Sequence, residues 1–268
     1  MILIPVADGE LLMRPLNEGK ELSDRERRFS ELCLKFSCTR PGKLLAFHQI
    51  TEEKFKTLQM SIVFFLQSCL SNINQRPNLS KEGSVVADFF HRIDEVENVT
   101  PNGKIMPKPH HTLSYNLFLS SVANIIKDLK IGDLIGSFNV PILRYKEAAP
   151  SSKKLSRQFA TEKAHMEAWV GHSSSTITFH MPIFGDIDNN FLQLFYPPDS
   201  YEESWAERLT DFDNGKNISN QYIKADIVPE KGKLYMFDAV SLHQTIRKPK
   251  AGPRISVEMM AEFKTVTP

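Results

Sequence analysis

The chain has 268 residues, 41% of them hydrophobic and 24% charged, which supplies a sizeable core and excludes wholesale disorder. Its 33 Lys and Arg against 32 Asp and Glu leave a net charge of +1, without the basic excess that nucleic-acid binding normally needs.

In chain order, the opening residues (MILIPVADGELLMRP) carry no basic stretch ahead of their apolar ones, so no signal peptide is read there. Residues 23–36 start with Ser23 and Asp24 and space Phe29, Leu32, Cys33 and Phe36 three and four apart, predicting a helix. Residues 51–73 set Thr51 before Glu52 and Glu53, then align Phe55, Leu58, Ile62, Phe65, Leu66, Cys69 and Ile73 on one face of a long core helix. The apolar run inside it, residues 60–70, contains Gln67 and Ser68 and is far shorter than the roughly 20 residues of a bilayer span. Cys33, Cys38 and Cys69 are an odd, sparse set, expected as buried thiols in a reducing, cytoplasmic setting. A shorter helix is predicted at 85–94 and a longer one at 111–129, with a loop rich in Pro, Gly and Lys at 98–109 between them.

After Gly136 the pattern turns to alternation, predicting strands at 138–145, 165–170, 176–184, 191–196, 222–228, 234–238 and 254–263. Two longer connections stand out: 146–163, which is basic, and 197–221, which is acidic in its middle and holds Tyr201 and Trp205. Helices followed by strands predict an α+β fold, its second half an antiparallel sandwich or barrel buttressed from outside by the helices. The expected organisation is a single domain over 1–268, with a mainly helical support region at 1–135 and a β core at 136–268.

The β half carries the chemistry. On a strand, His165 and Glu167 would point the same way. With His243 they supply two neutral imidazoles and a carboxylate, a facial triad suited to non-haem Fe(II) with open positions. Eleven residues beyond His243 stands Arg254, and Ser256 shares its strand face. A guanidinium beside a hydroxyl can hold a carboxylate by charge-assisted hydrogen bonds.

His165-x-Glu167, then His243, then Arg254-x-Ser256 resembles the Fe(II)/2-oxoglutarate-dependent dioxygenase superfamily over roughly residues 136–264. Glu167 stands where Asp is commoner, as in the clavaminate-synthase-like group. The resemblance implies a double-stranded β-helix, or jelly roll, with His165, Glu167 and His243 as iron ligands. It implies Arg254 and Ser256 as the anchor for 2-oxoglutarate, with O2 and a small-molecule substrate as partners. The reaction would be hydroxylation of an unactivated C–H bond with release of succinate and CO2, and a carboxylate at 167 argues against halogenation. Thr245, two residues past His243, is a candidate to assist the cosubstrate, and so is Thr178 or Gln193. Trp169 either walls the iron pocket or packs in the core, while His172 and His180 are rival ligands, His180 being better read as a substrate-side residue. Arg144, Lys146, Lys153, Lys154 and Arg157 either meet an anionic substrate, such as a sugar or natural-product intermediate, or form a solvated basic loop. Residues 197–221 are a candidate lid, and His91, His110 and His111 are expected at the surface or as caps. Two other readings stay open: a cupin-type metalloenzyme without 2-oxoglutarate, which would have no use for Arg254 and Ser256, and a non-catalytic metal-binding barrel.

Overall fold

A computed structural model describes residues 22–36, 38–71, 82–148 and 156–264. Four helices arise where the three- and four-residue spacing predicts them: α1 (Leu22–Phe36), α2 (Glu52–Leu70), α3 (Glu82–His91) and α4 (Thr112–Asp128). Thr51 caps α2, its side chain accepting from the Lys54 amide, and Glu52 and Glu53 favour the positive end of the helix dipole. Ile73, expected in α2, lies outside the described residues. α2 and α4 pack through Phe65, which stacks on Phe118 and tilts against Tyr115. His111 is buried rather than at the surface, and its Nδ1 accepts from the Lys108 amide to cap the turn before α4. Among the described residues no helix is long and apolar enough to cross a membrane.

The strands are β1 (Thr39–Gly42), β2 (Leu45–Gln49), β3 (Lys104–Ile105), β4 (Ile135–Phe138), β5 (Ile142–Lys146), β6 (Thr176–Gly185), β7 (Asn190–Tyr196), β8 (Ile223–Lys224), β9 (Lys233–Asp238), β10 (His243–Arg247) and β11 (Arg254–Phe263). They form two antiparallel sheets. The larger runs β1-β2-β9-β6-β11-β5-β3 with β4 also on β11, and the smaller runs β10-β7-β8.

The strands differ in places from the sequence reading, which did not foresee β10 at all. The strand expected at 138–145 is two, because Pro141, which cannot donate to the ladder, separates β4 from β5. The strand expected at 222–228 shrinks to Ile223–Lys224. The support region at 1–135 is not only helical, since β1, β2 and β3 extend the large sheet at its two edges.

β6 shows why the fold has layers. Ile177, Phe179, Met181 and Ile183 are essentially fully buried in one cluster with Phe65, Phe118, Leu234, Met236, Ile255 and Val257, so this face receives the helices. Each such side chain contributes about 1.5–3 kcal/mol on burial. The alternate residues Thr178 and His180 face the small sheet, as do Ser256 and Glu258 on β11. Leu192 and Leu194 of β7 meet Tyr235 and Phe237 of β9 in a second apolar cluster that closes one end of the space between the sheets.

The 197–221 connection is pinned to the body rather than poised as a lid. Trp169 Nε1 donates to the Trp205 carbonyl at 2.7 Å, the Tyr201 hydroxyl donates to Glu203, and Arg25 of α1 pairs with both Glu203 (2.7 Å) and Asp238 (2.8 Å). Gly215 exists for this contact, because a Cβ there would lie 2.3 Å from the Trp169 ring.

Candidate active site

His165 and His243 face each other across an isolated antiparallel bridge, exchanging backbone hydrogen bonds of 2.9 and 2.8 Å. The strand predicted at 165–170 stops there. Residues Glu167–Val170 instead form a 3-10 turn that ends on Gly171 at φ +91°, a conformation glycine adopts without strain. Glu167 is therefore carried to His243 by a turn, not by strand alternation.

The two rings lie 4.2 Å apart between centroids. His165 Nδ1 donates to the Lys163 carbonyl at 2.8 Å and His243 Nδ1 to the Ser241 carbonyl at 3.2 Å, which leaves each Nε2 as a lone-pair donor. Phe212 stacks on His165 at 4.4 Å and Phe237 lies 5.1 Å from His243, so both imidazoles are held in apolar packing. Burial, reinforced by His243, pushes His165 down to about 3, keeping it neutral.

Glu167 Oε1 stands 3.4 Å from His243 Nε2, and Oε2 stands 3.8 Å from Nε2 of the more exposed His172. Burial raises the Glu167 carboxyl, but its contact with His243 outweighs this and holds it below the usual range. Adjacent ligands bonded to one ion at about 2.0–2.2 Å would lie about 3 Å apart, close to the Glu167–His243 spacing. Among the described residues no group of three or more His, Cys, Asp and Glu side chains is placed to hold a metal ion as it stands, so His165, Glu167 and His243 would have to draw closer together to share one.

The triad lines a cavity of about 210 Å³ between the sheets, together with Thr178, His180, Thr245 and Glu258. At one end two cations face each other in register, Arg254 of β11 opposite Lys146 of β5, both buried. Arg254 donates from Nε to Asn190 Oδ1 at 3.2 Å and from Nη1 to Ser256 Oγ at 3.4 Å, and no carboxylate among the described residues pairs with it. Lys146 donates to Thr161 Oγ1 and lies 3.8 Å from Glu162. Burial, with Arg144 nearby, pushes Lys146 down to about 7. A buried guanidinium without a carboxylate partner is costly, which makes the Arg254 end a candidate seat for a negatively charged group.

Other expectations land differently. Trp169 does not wall the cavity. It is fully buried behind Phe212, where its ring fills the space over Gly215 and its N–H serves the Trp205 carbonyl. Gln193 is turned away, its amide donating to the Leu194 and Ala225 carbonyls. Arg144 lines the cavity but is tied to Glu258 at 2.5 Å. Thr245 lines the cavity, whereas Arg254 and Ser256 lie behind its wall. Lys153 and Lys154 lie outside the described residues, and Arg157 borders a separate polar cleft with Arg247 and Glu162.

Sequence reasoning missed Glu258, Asn190 and Phe212. Glu258 was legible, since it continues the alternation of Arg254 and Ser256. Phe212 was not, because nothing in the 197–221 connection marks which aromatic reaches His165.

No protein-family model and no curated protein matches the sequence. Solved structures are similar to it at low identity. AviO1 from Streptomyces viridochromogenes Tue57 is 11% identical with a TM-score of 0.45, covering 93% of this chain and 98% of that one. An N-substituted L-amino acid dioxygenase from Burkholderia ambifaria AMMD is 11% identical with a TM-score of 0.43, covering 87% and 86%. EctD from S. alaskensis, solved with 2-oxoglutarate and 5-hydroxyectoine, is 10% identical with a TM-score of 0.46, covering 82% and 72%. Likeness of this degree leaves the chemistry to the site's own geometry.

Proposed function

We propose that the protein is an Fe(II)- and 2-oxoglutarate-dependent dioxygenase that hydroxylates a small polar, anionic substrate. The observation that carries the reading is the pairing of two features in one space. Two imidazoles, each with Nδ1 engaged on a backbone carbonyl and Nε2 turned to the cavity, stand beside a carboxylate, and a buried guanidinium without a carboxylate partner among the described residues stands behind the same cavity. A cupin-type enzyme without 2-oxoglutarate would leave that guanidinium unexplained. Strand order supports the double-stranded β-helix: β5-β11-β6-β9 in one sheet faces β10-β7-β8 in the other, with the His165 segment bridged to β10.

His165 and His243 through Nε2, and Glu167 through its carboxylate, would hold the metal. Arg254, Ser256 and Lys146 would hold the distal carboxylate of 2-oxoglutarate, with Thr245 on the cavity wall beside it. When bound, Fe(II) with 2-oxoglutarate supplies O2 activation, oxidising a C–H bond while the cosubstrate becomes succinate and CO2. The chain contributes orientation and dryness: the carbonyls of Lys163 and Ser241 fix the imidazole tautomers, and Phe212 and Phe237 shield the rings from water.

Anaerobic addition of Fe(II) and 2-oxoglutarate should give a visible charge-transfer band, and admission of air should release succinate. His243→Ala should abolish both. Arg254→Ala should weaken 2-oxoglutarate binding about 10- to 100-fold, the loss of a charge-assisted pair, while leaving metal affinity nearly intact. Equal binding of metal and cosubstrate by wild type and both variants would overturn the assignment.

A further inference from the structure

A second polar group faces the same cavity, from the large sheet. Lys104 of β3, Arg144 of β5, Glu258 of β11 and His180 of β6 stand on four adjacent strands, with Lys104 in register with Arg144 and His180 with Glu258. Within the row the charges are already arranged. Arg144 Nε donates to Glu258 Oε2 at 2.5 Å and Nη1 to the Asn102 carbonyl at 3.0 Å. Burial opposes ionisation of Glu258, but Arg144 chiefly, then His180 and Lys146, hold its carboxyl down at about 2.

His180 is the anomaly. It is 1% exposed, yet neither ring nitrogen has a hydrogen-bond partner, and its Nδ1 stops 3.9 Å short of Glu258 Oε1. The Thr178 hydroxyl on the same face is equally unpartnered. A buried imidazole leaves both nitrogens unmade only at a cost of order 1–3 kcal/mol per group, unless something else completes them. Both residues line the cavity, and a hydroxyl on its side of the pair could reach both, accepting from an imidazole N–H and donating to the carboxylate. Lys104 makes no ion pair among the described residues, and beside Arg144 it leaves the other end of the row net positive.

We propose that this row is the recognition surface for the organic substrate, taking a hydroxyl between His180 and Glu258 and a carboxylate at Arg144 and Lys104, so that the substrate is a small hydroxylated acid. This rests on the metal and cosubstrate reading above, which sets the reacting centre across the cavity from the row.

Protein loaded anaerobically with Fe(II) and saturating 2-oxoglutarate is titrated calorimetrically with D-gluconate, hexanoate and sorbitol. These probes carry both groups, only the carboxylate, and only the hydroxyls. Gluconate should bind at least about tenfold tighter than either other probe. His180→Leu should weaken gluconate about 10- to 100-fold while leaving hexanoate unchanged, His180→Gln should recover part of the loss, and Glu258→Gln should weaken gluconate while strengthening hexanoate by freeing Arg144. His180→Leu carries the comparison alone should Glu258→Gln fail to fold. Equal affinity for the three probes, no measurable gluconate binding, or wild-type gluconate affinity in His180→Leu would overturn the proposal. The charge-transfer band recorded in the same samples separates the two readings: without it the metal assignment fails, and with it but without gluconate selectivity only the recognition row does.

Discussion

His165 and His180 share a physical state, a neutral imidazole in a space that disfavours its charge. Burial pushes each down to about 3 from 6.5. The unfolded chain therefore binds protons that the folded chain refuses between about pH 6.5 and 3, and folding stability falls as pH drops through that window. The slope is at most about 1.4 kcal/mol per pH unit for each group. His180→Leu should make the loss shallower, read from urea midpoints at pH 7 and pH 5. Lys146 works at the other end of the scale. Its folded value, about 7, lies below the usual 10.5, so its burial penalty is complete below pH 7 and is relieved as pH rises towards 10.5. Lys146→Met should stabilise the protein by about 1–4 kcal/mol at pH 6 and progressively less at pH 9, at the expense of cosubstrate affinity.

The elements explain which of these residues sequence alone could find. β11 is a long, largely buried strand, and although its register on β6 shifts between Ile255 and Ser256, two-residue alternation groups Arg254 with Ser256, which share a hydrogen bond, and by the same rule includes Glu258. Alternation on β6 likewise separated His180 from its apolar neighbours. The rule failed at 165–170, where a 3-10 turn brings Glu167 to His243 and sends Trp169 into the core. It failed again at β1 and β2, which are short and form a hairpin held to the sheet by the pairing of β2 with distant β9 rather than by any local pattern. Turns also set the limits of β6 and β11. Gly185 ends β6 at φ +87°, and a Cβ there would lie 2.1 Å from the Pro253 carbonyl oxygen. Gly185→Ala should cost at least about 1–2 kcal/mol in chemical denaturation, and should loosen Arg254, whose partner in register is this residue.

Across the molecule, the helices cover one face of the large sheet and the small sheet covers the other, so the cavity lies in the middle of the folded body and a ligand bound as proposed would sit there. Binding there is linked to folding of the whole. At 100 times its dissociation constant, a ligand that binds only the folded state adds about 2.7 kcal/mol. For a chain of this size that raises Tm by about 5–11 °C, a rise expected with Fe(II) and 2-oxoglutarate together, reversed by chelator and absent in His243→Ala.

The buried Arg25–Asp238 pair extends this linkage to the first helix described. Asp238 also accepts the Val240 amide, and its carbonyl takes the Ser241 amide, so it braces the short turn that delivers His243. A mobile α1 would thus be felt as a wandering imidazole more than 200 positions downstream. Under the proposed reading, trimming the protein to its β half should lose metal binding along with the helix.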